Sequence, residues 1–200
     1  MKKAIFIVFV LAMALFLTGA IVVVDACDGV PSMSREDACR EAFGTAPMGQ
    51  QEDACTTACI PPMYEFCLTV LYSAPDASEV TVFAVVAAKY AKLSYESTME
   101  AAYRMLQNAT LPGDERAAYA ACRDSYYPEA RSVTVGALTD MEGCSFGQLR
   151  REYAAAADAI RACGDEVSKL QTSAMFGLTV ADLRVAALAS GVGELVFAKQ

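Results

Sequence analysis

The chain contains no histidine and no tryptophan in its 200 residues. Without an imidazole, Ser-His-Asp and Cys-His catalysis of the usual kind are excluded, because nothing is left to take the proton from a serine or a thiol. None of the eight cysteines forms a Cys-x-x-Cys pair. Together with the missing histidine this argues against a zinc site and against a thioredoxin-like redox motif. Basic residues are also scarce, 16 against 24 acidic, for a formal net charge of −8. A chain of that balance is repelled by phosphate backbones, so nucleic acid is not an expected partner. Strand alternation is absent except for the ambiguous 80–86, and no cofactor motif is present.

One long apolar run is there, and it lies at the start. Met1-Lys2-Lys3 precedes an apolar stretch over residues 4–24, broken only by Thr18 and Gly19, and Val24-Asp25-Ala26 places small or modest residues where a signal peptidase needs them. Residues 1–26 are read as a cleaved signal peptide, with an uncleaved anchor as the competitor because the run is long enough to span a bilayer. The mature protein is then expected to be secreted, soluble and free of the membrane. Cleavage removes Lys2, Lys3 and Asp25 and leaves the remainder more acidic than the full chain. An even number of cysteines in an exported chain implies disulfides.

The rest of the chain carries helical periodicity. Ser34 with Asp37 is a cap for a short helix reaching about Phe43, a second helix is expected over 50–59, and Pro61-Pro62 breaks the chain before a third over 64–72. Ser78 is read as the N-cap of a long helix to about residue 108, with Phe83, Val86, Tyr90, Leu93, Ser97, Ala101 and Met105 facing inward. Asp114 caps a helix over 115–142 that should kink at Pro128, with Tyr119, Cys122, Tyr126, Ala130, Val133, Ala137 and Met141 as its stripe. A further helix spans 146–170. Thr179 with Asp182 is read as the opening of the last helix, apolar on most sides and therefore central. The expected architecture is all-α: an antiparallel up-down-up-down four-helix bundle over 79–200, preceded by an N-terminal extension and helical hairpin over 27–78, and stapled by disulfides.

Two cysteines occupy matching heights. In the helix over 146–170 the stripe runs Phe146, Leu149, Tyr153, Ala156, Ile160, Cys163, Val167 and Leu170. Cys122 lies 21 residues before the breaker Gly143 and Cys163 lies 20 after it. At 1.5 Å per residue both stand roughly 30 Å from the turn of an antiparallel hairpin, so they can meet. Cys67 is expected to pin the N-terminal hairpin by bonding to Cys55 or Cys59, with symmetry about Pro61-Pro62 favouring Cys55. The partners of Cys27, Cys39, Cys144 and the remaining one of Cys55 and Cys59 cannot be read from sequence.

Three short patterns carry less. Gly143-Cys144-Ser145-Phe146-Gly147 matches the GxSxG of a hydrolase nucleophile elbow, but that motif needs a preceding strand and a histidine, so Ser145 with Gln148 is read instead as a helix-capping box. Asn108-Ala109-Thr110 is an N-glycosylation acceptor where a helix ends. Glu96, Glu100, Asp158 and Asp165 are spaced as solvated helix faces and single out no general acid and base. A lipid carrier of the plant lipid-transfer type would need an adjacent Cys-Cys and a Cys-x-Cys, and neither occurs.

Residues 50–198 resemble the plant invertase and pectin methylesterase inhibitor family. The resemblance rests on Ala58-Cys59-Ile60-Pro61-Pro62-Met63-Tyr64-Glu65-Phe66-Cys67, similar to the family's first cysteine pair, and on Tyr119-Ala120-Ala121-Cys122-Arg123-Asp124-Ser125-Tyr126 with Cys163, similar to its second. By this likeness Cys59 is the partner of Cys67. Where invertase-directed members carry Pro-Lys-Phe, this chain reads Gly143-Cys144-Ser145-Phe146. The resemblance implies a secreted, non-enzymatic inhibitor that blocks the cleft of a carbohydrate enzyme, foremost a pectin methylesterase in the cell wall, with a cell-wall or vacuolar invertase, or a non-inhibitory scaffold, as alternatives.

Overall fold

Residues 27–44, 62–170 and 173–198 are described by a computed structural model. The expected signal peptide at 1–26 and the helix over 50–59, with Cys55 and Cys59, lie outside those residues. The described chain begins with strand β1 (Ser32–Ser34), which runs into helix α1 (Arg35–Phe43). Ser34 caps α1, its Oγ accepting the Asp37 N–H at 3.0 Å. Helix α2 (Met63–Leu71) follows, then strand β2 (Ala77–Glu79), which pairs antiparallel with β1 through Met33 and Ser78. Ser78 therefore lies in a ladder and does not cap the next helix as expected; Glu79 occupies that position. Arg35 fastens the two halves of this region, its guanidinium donating to the Tyr72 and Ala74 carbonyls and to Asp76.

Four long helical segments form the body. They are α3 (Val80–Leu106), the pair α4 (Gly113–Ala121) and α5 (Tyr127–Glu142), α6 (Leu149–Ser168), and α7 (Ala174–Glu194). Helix α3 packs on α5, α5 on α6, α6 on α7, and α7 back on α3. With short connections between consecutive members, that closed ring is an up-down-up-down bundle. Helix α1 leans on α2 and α7, and α2 on α3, so the N-terminal hairpin covers one edge of the bundle. The core joins large side chains such as Phe83, Met141, Ile160 and Leu188 with many fully covered alanines. Complete burial of each large one contributes about 1.5–3 kcal/mol. Helix α7 with its last turn is long and apolar enough to cross a membrane. Its place explains the composition, since it packs against α6, α3 and α1 and carries the buried Asp182.

The helix expected over 115–142 is interrupted. Cys122–Tyr126 form a π turn, and the Tyr127 N–H reaches back five residues to the Cys122 carbonyl. Pro128 has no N–H to give, and its ring crowds the carbonyl four residues earlier; a widened turn relieves both problems. The π turn also inserts one residue into the helical phase. Beyond it the buried positions are Tyr127, Ala130, Thr134, Ala137, Leu138 and Met141, whereas Tyr126 and Val133, expected inward, are only half-buried.

Candidate docking surface

Helix α3 carries two competing stripes, and the one with the larger side chains faces outward. Its covered positions are mostly small, Ala84, Ala87, Ala88, Ala91 and Ala102, with Tyr95 and Thr98 among them. Of the expected inward set, Phe83 is buried, but Tyr90 is 42% exposed and Leu93 61%. Alanine at the contact lets α5 and α7 approach α3 closely, which a row of Tyr and Leu would prevent. Stripe and burial thus part company here. A helix that keeps Leu93 and Tyr103 in water, with Val135 facing out from α5, presents apolar area that the fold does not use.

These residues border a groove between α3 and α5. One stretch, of about 440 Å³, is lined by Lys89, Lys92, Leu93, Val135, Leu138 and Glu142. A second stretch further along is lined by Met99, Glu100, Tyr103 and Arg123. Between them Arg131 donates to Glu96 at 2.5 Å, and Lys92 approaches the same carboxylate at 3.2 Å. The Arg131 hydrogen bond, followed by Lys92, holds the Glu96 carboxyl below the usual range. At the near end Lys89 faces Glu142 at 4.0 Å. On a protein of net charge −8 this face is not acidic: Lys89, Lys92, Arg123 and Arg131 stand among Glu96, Glu100 and Glu142, with Lys92 and Arg131 sharing Glu96 and Lys89 facing Glu142. Paired and braced side chains lose little freedom when a partner covers them.

Behind the groove the bundle is registered by a buried acid. Asp182 is covered inside α7, and its Oδ1 accepts from Ser94 at 2.5 Å while Oδ2 accepts from Thr98 and Tyr127, each at 2.7 Å. Three hydroxyls from α3 and α5 thereby satisfy one carboxylate of α7. Burial, reinforced by Asp182, pushes the phenols of both Tyr95 and Tyr127 up and keeps them neutral. Asp182 does not open its helix, contrary to the sequence reading. Helix α7 starts earlier, at Ala174, and Thr179 sits mid-helix with its hydroxyl donated to the Phe176 carbonyl at 2.8 Å.

Cys122 is bonded to Cys163, with their Cα atoms 5.1 Å apart, and both are fully buried. Cys67 does not bond to Cys55 or Cys59. Its partner is Cys39, Cα to Cα 5.7 Å, because α1 and α2 lie side by side and bring the two buried faces together. Cys27 is bonded to Cys144, 117 residues away in sequence. That link holds the turn after α5, where the expected capping box of Ser145 and Gln148 does not form. Backbone groups close the turn instead: the Cys144 and Ser145 N–H groups donate to the Met141 and Asp140 carbonyls. Next to it Phe146 stacks edge-on against Phe197, and Arg150 lies 4.2 Å over the Phe197 ring while pairing with Glu194. Asn108 is exposed in the loop after α3, its Oδ1 accepting from the Thr110 N–H and hydroxyl. Among the described residues no cluster of three or more acidic, Cys or His side chains is placed to hold a metal.

No protein-family model matches the sequence, and no curated protein does. Solved structures do share the fold. The chain is similar to a pectin methylesterase inhibitor from Arabidopsis thaliana, at 16% identity and a TM-score of 0.56 over 66% of this chain and 88% of that one. It is likewise similar to a mutant form A of a pectin methylesterase inhibitor from Arabidopsis, at 16% identity and a TM-score of 0.59 over 66% of this chain and 89% of that one. The bundle with its helical N-terminal region is thus the fold seen in those inhibitors.

Proposed function

We propose that this protein is a secreted, non-enzymatic inhibitor of a pectin methylesterase, acting outside the cell by laying the α3/α5 face into the enzyme's cleft. The observation that carries the reading is the exposure of Leu93 and Tyr103 beside Val135 along one groove, set among paired charges. Its likeness in fold to pectin methylesterase inhibitors supports the class of target. Rigid docking suits a braced bundle, since little conformational entropy is left to lose. A glycan on Asn108 is part of the proposal. Asn108 lies just beyond the end of α3, 15 residues and about 22 Å from Leu93 but only five residues from Tyr103, so a glycan there leaves the Leu93 and Val135 end of the groove open.

The test is to titrate the oxidised, secreted protein against purified pectin methylesterase and cell-wall invertase at mildly acidic pH. Stoichiometric loss of esterase activity alone is the expected result. Loss of invertase activity alone would transfer the proposal to that enzyme, and full activity of both at saturation would leave a scaffold without an inhibitory role.

A further inference from the structure

We propose that the Cys27–Cys144 disulfide is a thiol-reducible latch at one end of the bundle, and that opening it releases residues 27–34 and the turn at 143–148 while the helices stay packed. Cys39, Cys67, Cys122 and Cys163 are each wholly buried, whereas Cys144 is exposed in its turn. An attacking thiolate must reach a sulfur before exchange can begin, so access separates this bond from the other two described disulfides. Cys144 is also the one non-glycine among the described residues with a positive φ, +54°. A β-substituted residue is held in that region only when its surroundings fix it, and here the backbone bonds that end α5 and the cross-link both act on it.

The segments that the latch joins are short; in the first, Cys27 and Pro31 are buried and Val30 and Met33 pack against the core, but its hydrogen bonds to the rest of the chain are few. Residues 27–34 are held by the Cys27 N–H bond to Glu79 at 2.8 Å, the bond from the Val80 N–H to the Pro31 carbonyl at 3.0 Å, and a ladder of three residues. The turn is held by the backbone bonds of residues 143–145 and by the Phe146 contact with Phe197. The bundle keeps its own staple, because Cys122–Cys163 lies deep between helical segments. Its separation of 117 residues makes Cys27–Cys144 the longest-range covalent tie among the described disulfides.

Chemically the step is exchange with a dithiol. One thiolate attacks the Cys144 sulfur, forming a mixed disulfide and expelling Cys27 as a thiolate, which takes up a proton. The second thiol of the reductant then attacks the mixed disulfide and leaves as an oxidised ring, with Cys144 restored as a thiol. Two electrons pass from the dithiol to the protein disulfide.

The secreted, oxidised protein is exposed to graded dithiothreitol, quenched with iodoacetamide and peptide-mapped, with hydrogen exchange followed on the same samples. Cys27 and Cys144 should be alkylated at about tenfold less dithiothreitol than Cys39, Cys67, Cys122 or Cys163. Exchange should rise in 27–34 and 143–148 and stay slow in α3, α5, α6 and α7. Simultaneous opening of the buried pairs, or opening with no rise in exchange at the two segments, overturns the proposal. The double variant C27S/C144S must reproduce the exchange pattern of the partly reduced protein; loss of protection throughout the helices would show that the bond is a structural staple and no latch.

Discussion

Tyr127 donates its phenol hydroxyl to Asp182 Oδ2 across 2.7 Å at the buried centre of the bundle, and Thr98 donates to the same oxygen from the opposite helix. The contact exists because the π turn at Cys122–Tyr126 advances the helix by one residue and swings Tyr127, in place of Tyr126, toward α7. Tyr127→Phe removes one donor to a buried carboxylate and should cost about 1.5–3 kcal/mol of stability. Asp182→Ala strands the buried hydroxyls of Thr98 and Tyr127 and the half-buried one of Ser94 and should cost more, about 3–5 kcal/mol. Urea unfolding with an unchanged m-value measures both. A loss below about 1 kcal/mol for Asp182→Ala would mean that the network contributes nothing net.

Two glycines of α7 separate close packing from adjustable packing. A Cβ at Gly193 would overlap the ring of Tyr153, which is buried and boxed between helices. At Gly191 the obstacle is the Phe43 ring, which a Cβ would approach to 2.5 Å, but Phe43 is half-buried at the end of α1 and can swing aside. Gly193→Ala should therefore destabilise by about 1–3 kcal/mol despite the better helix propensity of alanine. Gly191→Ala should fall within about 1 kcal/mol of the parent. Equal thermal shifts for the two would contradict the distinction.

Helix periodicity was sufficient to read the bundle, because a stripe such as Leu149, Tyr153, Ala156, Ile160, Cys163 and Val167 admits one buried face. It failed on α3, where alanines and larger residues offer two faces and only the neighbouring helices decide between them. It failed again beyond Cys122, since a π turn leaves no mark in periodicity except the proline that provokes it. Asp182 was legible as a polar residue in an apolar helix, yet capping chemistry uses the same residue type at the same spacing. The pairing of Cys39 with Cys67 depends on how α1 lies against α2, a contact with no local signature.

Glu152 has a buried oxygen, Oε2, with no hydrogen-bond partner, while its other oxygen, Oε1, lies on the Gly136 side, toward α5. Burial, and then the negative charge of Asp140, lift its carboxyl above the ordinary value of 4.5. A folded state that binds this proton more tightly than the unfolded chain is destabilised by ionisation. The cost is absent below about 4.5 and grows as pH rises through the higher folded value. Glu152→Gln should match the parent near pH 4 and exceed it in stability near pH 7. Denaturation midpoints taken across that range test it, and a difference that does not change with pH would assign the effect to packing.

Leu93 is 61% exposed, so Leu93→Asp removes almost nothing from the core and should change folding stability by no more than about 0.5–1 kcal/mol, mostly through helix propensity. In a docked complex the same position is covered, and a carboxylate there must be stripped of water opposite an apolar wall. Interface anchors of this kind cost about 2 kcal/mol or more when lost, so the inhibition constant should rise roughly thirtyfold. Val180 gives the control, because it too is an exposed apolar residue, at 36%, but belongs to α7 and does not line the α3/α5 groove. Val180→Asp should leave inhibition of a pectin methylesterase unchanged. If both substitutions weaken it equally, the effect is one of general negative charge; if Leu93→Asp inhibits as well as the parent, the enzyme is met by another face of the bundle.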